Sequence, residues 1–390
     1  MPYAAALSLS ADTDAAIDEV CEALQRDLAG SQPDLTFVFV SHHHRSAFGE
    51  IAEELQSRLR TRILLGCGGE FIAGGDREIE GRPALSVWSA VMPEALLIPF
   101  HVTFEATPDG LMTSGWPEEF AEQANPRAVL LLGEPHSTPV DAVIERLAEE
   151  LPNVPLVGGM ASGGRGPGQN CVFLNSEKFG EGAVGVGIFG GPRVTSIVSQ
   201  GCRPVGPNFV ITKARDNIVV ELGGKPAMVR LQEVYGGLPE HDQALLQAGP
   251  HLGLVMNEMQ SSFGHGDYLI SNIMGGDPQT GAIAVGTLVR VGQTVRLHVR
   301  DATTAHEDLS AMLVRHKNAG GPADRAALLF SCNGRGTRLF PEANHDAATI
   351  QEELGMVPLA GFFAAGELGP VGSKNYIHGY TASVVCFTDE

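Results

Sequence analysis

A hydroxyl, a thiol, an amide and a guanidinium lie almost side by side at Ser331, Cys332, Asn333 and Arg335, and a carboxylate follows at Glu367. Arg335 sits between Gly334 and Gly336, and its planar fork of donors suits a carboxylate. Glu367 sits in a similar turn, Gly366-Glu367-Leu368-Gly369-Pro370, where it could take an ammonium. If the fold brings the two turns together, they offer both poles of an amino acid. The alternative is an Arg335 to Glu367 ion pair that ties two loops. Cys332 is the best placed nucleophile, beside groups able to stabilise a thiolate. As an enzyme, the protein would use it on a small acyl or amide substrate, with His345 or His378 as base if either comes near. A buried, inert thiol is the alternative.

Other candidates carry less. Glu70 shares the Gly-Glu arrangement of Glu367, while Glu134 and Arg165 stand at comparable turns. His42, His43 and His44 on an extended chain would point to opposite faces and could not converge on one ion, so no metal site is expected. The glycine pairs complete neither a dinucleotide fingerprint nor a P-loop, and no cofactor is expected. Arg203, in a stretch read as a shaped turn over 201–206, would bridge backbone carbonyls or reach the ligand.

The elements that must position these residues recur. Residues 35–40 read as a strand, 47–59 as a helix with Phe48, Ile51, Leu55 and Leu59 on one stripe, and 63–66 as a second strand. The order returns at 128–158 with the same separation from first strand to glycine, and again at 328–361 with extra residues in the loop. A fourth, poorer copy is read over 252–276. Alternating strands follow at 84–88, 183–187, 282–286 and 381–385, which suits sheets packed on one face. Helix 12–28 precedes the first unit, with Ala16, Val20, Leu24 and Leu28 on one side. Between the units, Pro226 opens a helix, Gly292-Gln293 turns a hairpin joining 282–291 to 294–299, and Thr304 with Glu307 reads as a capping box. The expected fold is mixed α/β (α+β): two related halves of repeated β-α-β-β units, with mixed sheets packed together and helices outside.

Composition narrows the function classes. A chain of 390 residues has room for two domains, and 43% hydrophobic residues is ample for a core. A formal charge of -20 opposes nucleic acid and anionic membrane surfaces as partners. Six scattered cysteines without CxxC spacing fit a reduced, cytoplasmic protein. No signal peptide is read at the start, and no apolar run reaches the roughly 18 residues of a spanning helix.

Several stretches together resemble the FIST family, named for F-box and intracellular signal transduction. They are 201–207, 212–214 and 217–227 in the middle, Leu65-Gly66-Cys67-Gly68-Gly69-Glu70-Phe71 early, and 274–286, 330–336 and 361–370 late. The resemblance spans residues 31–387 and implies an N-terminal FIST domain over 31–225 and a C-terminal one over 226–387. It implies a sensory module in signal transduction that binds a small ligand, amino acids among them. With no output domain read in the chain, signalling would pass through a separate protein partner. Ser331, Cys332, Asn333, Arg335, Glu367 and Arg203 are the expected ligand-binding residues.

Overall fold

The computed structural model describes residues 1–108 and 110–389. They form two compact units, one joining Met1–Val198, Leu309–Ile377 and Thr381–Glu390, the other joining Ser199–Asp308 and His378–Tyr380.

One motif is written three times in the first unit. The first copy begins with an edge strand, Tyr3–Ser8, and the helix Thr13–Asp27. Strand Leu35–Ser41, helix Phe48–Leu59 and strand Ile63–Gly69 come next, then a short hairpin (Ile72–Gly74 and Arg77–Ile79) and the return strand Leu85–Ala90. The two central strands are parallel, and the return strand lies antiparallel between the first of them and the edge strand. A second copy runs through Ala95–Thr107, Pro126–Gly133, helix Val140–Glu150, Leu156–Met160, hairpin Val172–Leu174 and Glu177–Phe179, and Ala183–Gly190. The third uses Arg193–Gln200, Asp324–Cys332, helix His345–Leu354, Leu359–Ala364, hairpin Glu367–Val371 and Lys374–His378, and Thr381–Thr388. In the chain, most of the second unit is inserted after the third copy's edge strand.

No copy keeps its own hairpin. That of the first copy pairs with Leu359–Ala364 of the third, that of the second with Ile63–Gly69 of the first, and that of the third with Leu156–Met160 of the second. Each exchange covers a strand edge that would otherwise expose unpaired backbone groups. The glycines noted at Gly66, Gly158 and Gly361 have one cause. A Cβ there would come within 2.4, 1.9 and 1.9 Å of the carbonyl oxygens of Val38, Leu131 and Leu329 on the neighbouring strand.

The inner faces of the three sheets share a core that includes Phe37, Phe39, Trp88, Leu130, Val186, Phe330, Phe362 and Phe387. Phe39 and Phe362, from different sheets, stack with ring centres 5.2 Å apart. Each such burial contributes about 1.5–3 kcal/mol. The outer faces carry the helices: Ala16, Val20, Leu24 and Leu28 are buried on one side of the first helix, whose start is capped by Asp12 accepting from Ala15 N–H. Mixed sheets with outer helices on a repeated β-α-β-β unit are thus what the sequence predicts.

The second unit is a small barrel. Its long strand Cys202–Arg215 pairs with Thr294–Arg300 along one part and with Ile218–Leu222 along another, closing the sheet on itself. Four readings change here. The proposed fourth copy is an antiparallel pair, His251–Val255 with Tyr268–Gly276, with no helix between. Ile283–Val285 pairs with Ile218–Leu222 and Tyr268–Gly276 rather than with Thr294–Arg300, so Gly292-Gln293 turns no hairpin ladder. Asp301, not Thr304, accepts at the helix start, from Thr304 N–H. Residues 202–206 are strand rather than turn. Three of these depend on which strands pair, which local spacing does not encode; the helix start is a local choice between two capping residues three apart.

Candidate functional site

In the third copy the parallel ladder ends at Cys332 opposite Ala364. The chain then folds back, Arg335 N–H donating to Cys332 O at 2.8 Å. Gly336 takes a positive φ of 59°, and a Cβ there would lie 2.5 Å from Glu80 Oε1. This tight reversal drives the Arg335 side chain inward until it is fully buried.

A buried guanidinium requires an anion, and Asp346 in the first turn of the next helix supplies it. Arg335 Nε and Nη2 donate to Asp346 Oδ2 and Oδ1 at 2.7 and 2.8 Å. Ser331 Oγ donates to Oδ2 at 2.7 Å, and His345 Nδ1 lies 2.9 Å from Oδ1. Phe340 stacks on His345 and lies under the guanidinium. Burial alone would raise the Asp346 carboxyl, but the charge and hydrogen bonds of Arg335 outweigh it and hold the group well below the usual carboxylate range.

The first copy's hairpin adds three carboxylates. Glu78 Oε1 accepts from Ala347 N–H at 3.0 Å, and burial, with the charge of Asp346, pushes its carboxyl up to about 8. Glu80 accepts from Thr337 N–H at 2.8 Å. Glu70 pairs with Arg338 at 2.6 Å, and Arg338 also donates to Asn333 O at 2.9 Å.

Glu367 stands at the start of the third copy's own hairpin and is fully buried. Its Oε2 accepts from Thr381 N–H and Thr381 Oγ1 at 3.1 and 2.9 Å. Burial pushes the carboxyl up to about 8, opposed by those bonds, by the Cys332 thiol that it faces and by the charge of Arg335. Cys332, half-buried, accepts from Gly334 N–H at 3.4 Å and lies within the field of both Arg335 and Arg338. Around it Arg335 Nη1 and Asn333 Oδ1 are buried and form no hydrogen bond among the described residues, while the Cys332 side chain is hydrogen-bonded to the Glu367 carboxyl.

The structure therefore brings Ser331, Cys332, Asn333, Arg335 and Glu367 into one cluster but rewires it. Arg335 pairs with Asp346, so the Arg335 to Glu367 ion pair does not form. Ser331 buttresses Asp346 from within the core. His345 is engaged by Asp346 and Phe340, and the group hydrogen-bonded to the Cys332 side chain is the Glu367 carboxyl. Arg203 belongs to the second unit, where Asp242 and Asp301 hold it at 2.6 and 2.9 Å; it neither bridges carbonyls nor joins this cluster's hydrogen bonds. The three histidines occupy a short 3-10 turn, His42–Ala47, in which His44 is buried with its Nδ1 3.0 Å from Thr13 Oγ1. Glu134 is buried and holds its own turn by accepting from His136 N–H and Ser137 Oγ, and Arg165 is exposed. Asp346 and Glu78 escaped the sequence reading. An acid in a helix's first turn is ordinary, and Glu78 arrives from the first copy, far away in the chain.

Residues 34–225 match the model of the FIST N domain and residues 227–370 that of the FIST C domain. The chain belongs to the FIST family. FIST domains are signalling-associated sensory domains. The uncharacterized protein Rv0628c of Mycobacterium tuberculosis is 39% identical over 383 residues, 98% of either chain. The uncharacterized protein Mb0898c of Mycobacterium bovis is 39% identical over 365 residues, 93% of either chain. No helix among the described residues of this FIST protein is long and apolar enough to cross a membrane.

Proposed function

We propose that this FIST protein senses a small carboxylate held against Cys332, Asn333 and Glu367, and passes its occupancy to a separate signalling protein. One observation carries the reading: Arg335 Nη1 and Asn333 Oδ1 are buried beside one thiol and have no hydrogen-bond partner among the described residues. Folded proteins satisfy nearly all such atoms, so a cluster of them marks where another molecule completes the bonding. Arg335 Nη1 supplies N–H donors. Glu367, protonated below about pH 8, supplies an O–H. Donors of both kinds suit a carboxylate. The ammonium of an amino acid gains little, because a protonated Glu367 is no counter-ion. Entry is past the half-buried Cys332, Asn333 and Gly334.

Calorimetry with acetate, pyruvate, glycine and alanine tests this. Monocarboxylates should bind, Glu367→Gln should retain the binding, and Asn333→Asp, which sets a second anion beside the ligand, should weaken it roughly tenfold, the effect of losing about 1.4 kcal/mol. Absence of binding by every member of the panel would sink the proposal. A second reading, cysteine-dependent acyl or amide chemistry, draws on Glu367 facing the thiol and on Gly334 N–H, Arg335 and Arg338 around the sulfur. In it an ionised Glu367 takes the thiol proton, the sulfur adds to the carbonyl carbon, and the same proton passes to the leaving oxygen or nitrogen as its bond to that carbon breaks and a thioester remains. Turnover lost in Cys332→Ser with binding retained would decide for that reading.

A further inference from the structure

Away from this cluster, at the opposite end of the strand that leads to Cys332, a helix end and two strands bring together three groups of metal-binding type. His316 comes from the last turn of helix Ala302–Asn318, Asp324 opens strand Asp324–Cys332, and Cys386 lies on the return strand Thr381–Thr388. Their donor atoms all lie within 4.8 Å of one another, with His316 Nε2 3.0 Å from both Asp324 oxygens. We propose that His316, Asp324 and Cys386 bind one zinc-like divalent ion whose fourth position opens to an anionic ligand.

The donor set selects the metal. One imidazole, one carboxylate and one thiolate match zinc far better than magnesium or calcium, which prefer oxygen alone. Ligands at about 2.0–2.3 Å in a tetrahedron stand roughly 3–4 Å apart, so only a small turn of the Cys386 side chain is needed. Three protein ligands leave one position open. His316 and Asp324 line a cleft of about 230 Å³, and Arg193 and Lys317 line it too, which suits a small anion as the fourth ligand. An independent sign lies in the same cleft: Thr388 is 4% exposed, and its Oγ1 has no hydrogen-bond partner among the described residues although Thr388 is paired in register with Asp324. A ligand in the cleft would satisfy it. Burial keeps the Cys386 thiol protonated without metal, so binding releases its proton to solvent.

Cobalt(II) titration of the chelator-stripped full chain provides the test. A near-ultraviolet thiolate-to-cobalt band should saturate at one equivalent, and zinc should displace it. Cys386→Ser should abolish the band, and His316→Gln should weaken binding by at least about tenfold, with circular dichroism establishing that both variants fold. Cys332→Ser should leave the band intact, and inorganic phosphate should perturb the visible cobalt bands. Failure of a band to appear at one equivalent, or its survival in Cys386→Ser, overturns the site. A spectrum indifferent to phosphate overturns the anionic fourth ligand.

Discussion

The first and third copies end their central strands at matching places and fill them differently. In register, Ser41 opposite Gly69 corresponds to Cys332 opposite Ala364. Ser41 Oγ accepts from Ala84 N–H at 2.9 Å, at the head of the return strand. In the third copy the matching N–H, that of Thr381, goes to Glu367 Oε2 instead, and a sulfur that faces a carboxyl and two cationic groups replaces the hydroxyl. The following helix starts on Phe48 in one copy and carries Asp346 in its first turn in the other. One scaffold therefore supports a closed turn packed on an aromatic ring and a charged cluster with unfilled hydrogen bonds. The contrast shows that the scaffold sets position while a few substitutions set chemistry.

The largest effects should come from the helix starts. Asp346→Ala strands a buried guanidinium and should cost about 3–5 kcal/mol in urea unfolding. Phe48→Ala should cost about as much through its cavity, so pH must separate them. The folded Asp346 carboxyl is held low, so its stabilisation is present above about pH 3.9 and is lost as the pH falls. Asp346→Ala should lose that acid dependence and Phe48→Ala should keep it. A loss under 1 kcal/mol for Asp346→Ala would break the comparison.

Glu367 titrates in the opposite sense. Its folded value of about 8 lies above the ordinary value near 4.3, so its contribution is full below about pH 4.3 and is lost as pH rises through about 8. Thermal unfolding of Glu367→Gln between pH 5 and 8 should show a flatter decline, with the share of Glu78 remaining. An unchanged slope would show that Glu367 is ionised in the fold.

Much of the scaffold is legible beforehand, because helix faces and tight backbone approaches are local. Val20 and Leu24, or Gly66 and Gly361, declare themselves by spacing. The cluster's wiring does not. Glu70, Glu78 and Glu80 reach Arg338, Ala347 and Thr337 only through an exchanged hairpin, and sequence separation hides that pairing. Arg335 advertised a carboxylate correctly, yet nothing in the spacing distinguished Asp346 from Glu367 as its owner.

Smaller effects sharpen the same contrast. Ser41→Ala leaves Ala84 N–H buried without its acceptor and should cost about 1–3 kcal/mol by chemical denaturation; a neutral result would mean that water replaces the hydroxyl. Arg338→Ala removes an ion pair whose side chains are 43% and 33% exposed, and should cost less than about 1 kcal/mol. A larger loss would make Arg338 part of the cluster's foundation.

The passing of hairpins from copy to copy has the logic of a closed threefold assembly traced by one chain. A lone ancestral copy, with its hairpin extended and its own second strand uncovered, would complete itself as a strand-exchanged homotrimer bearing three identical strand ends. In one polypeptide the three ends need not be identical, and here a cysteine, a buried arginine and a buried glutamate stand at one of them.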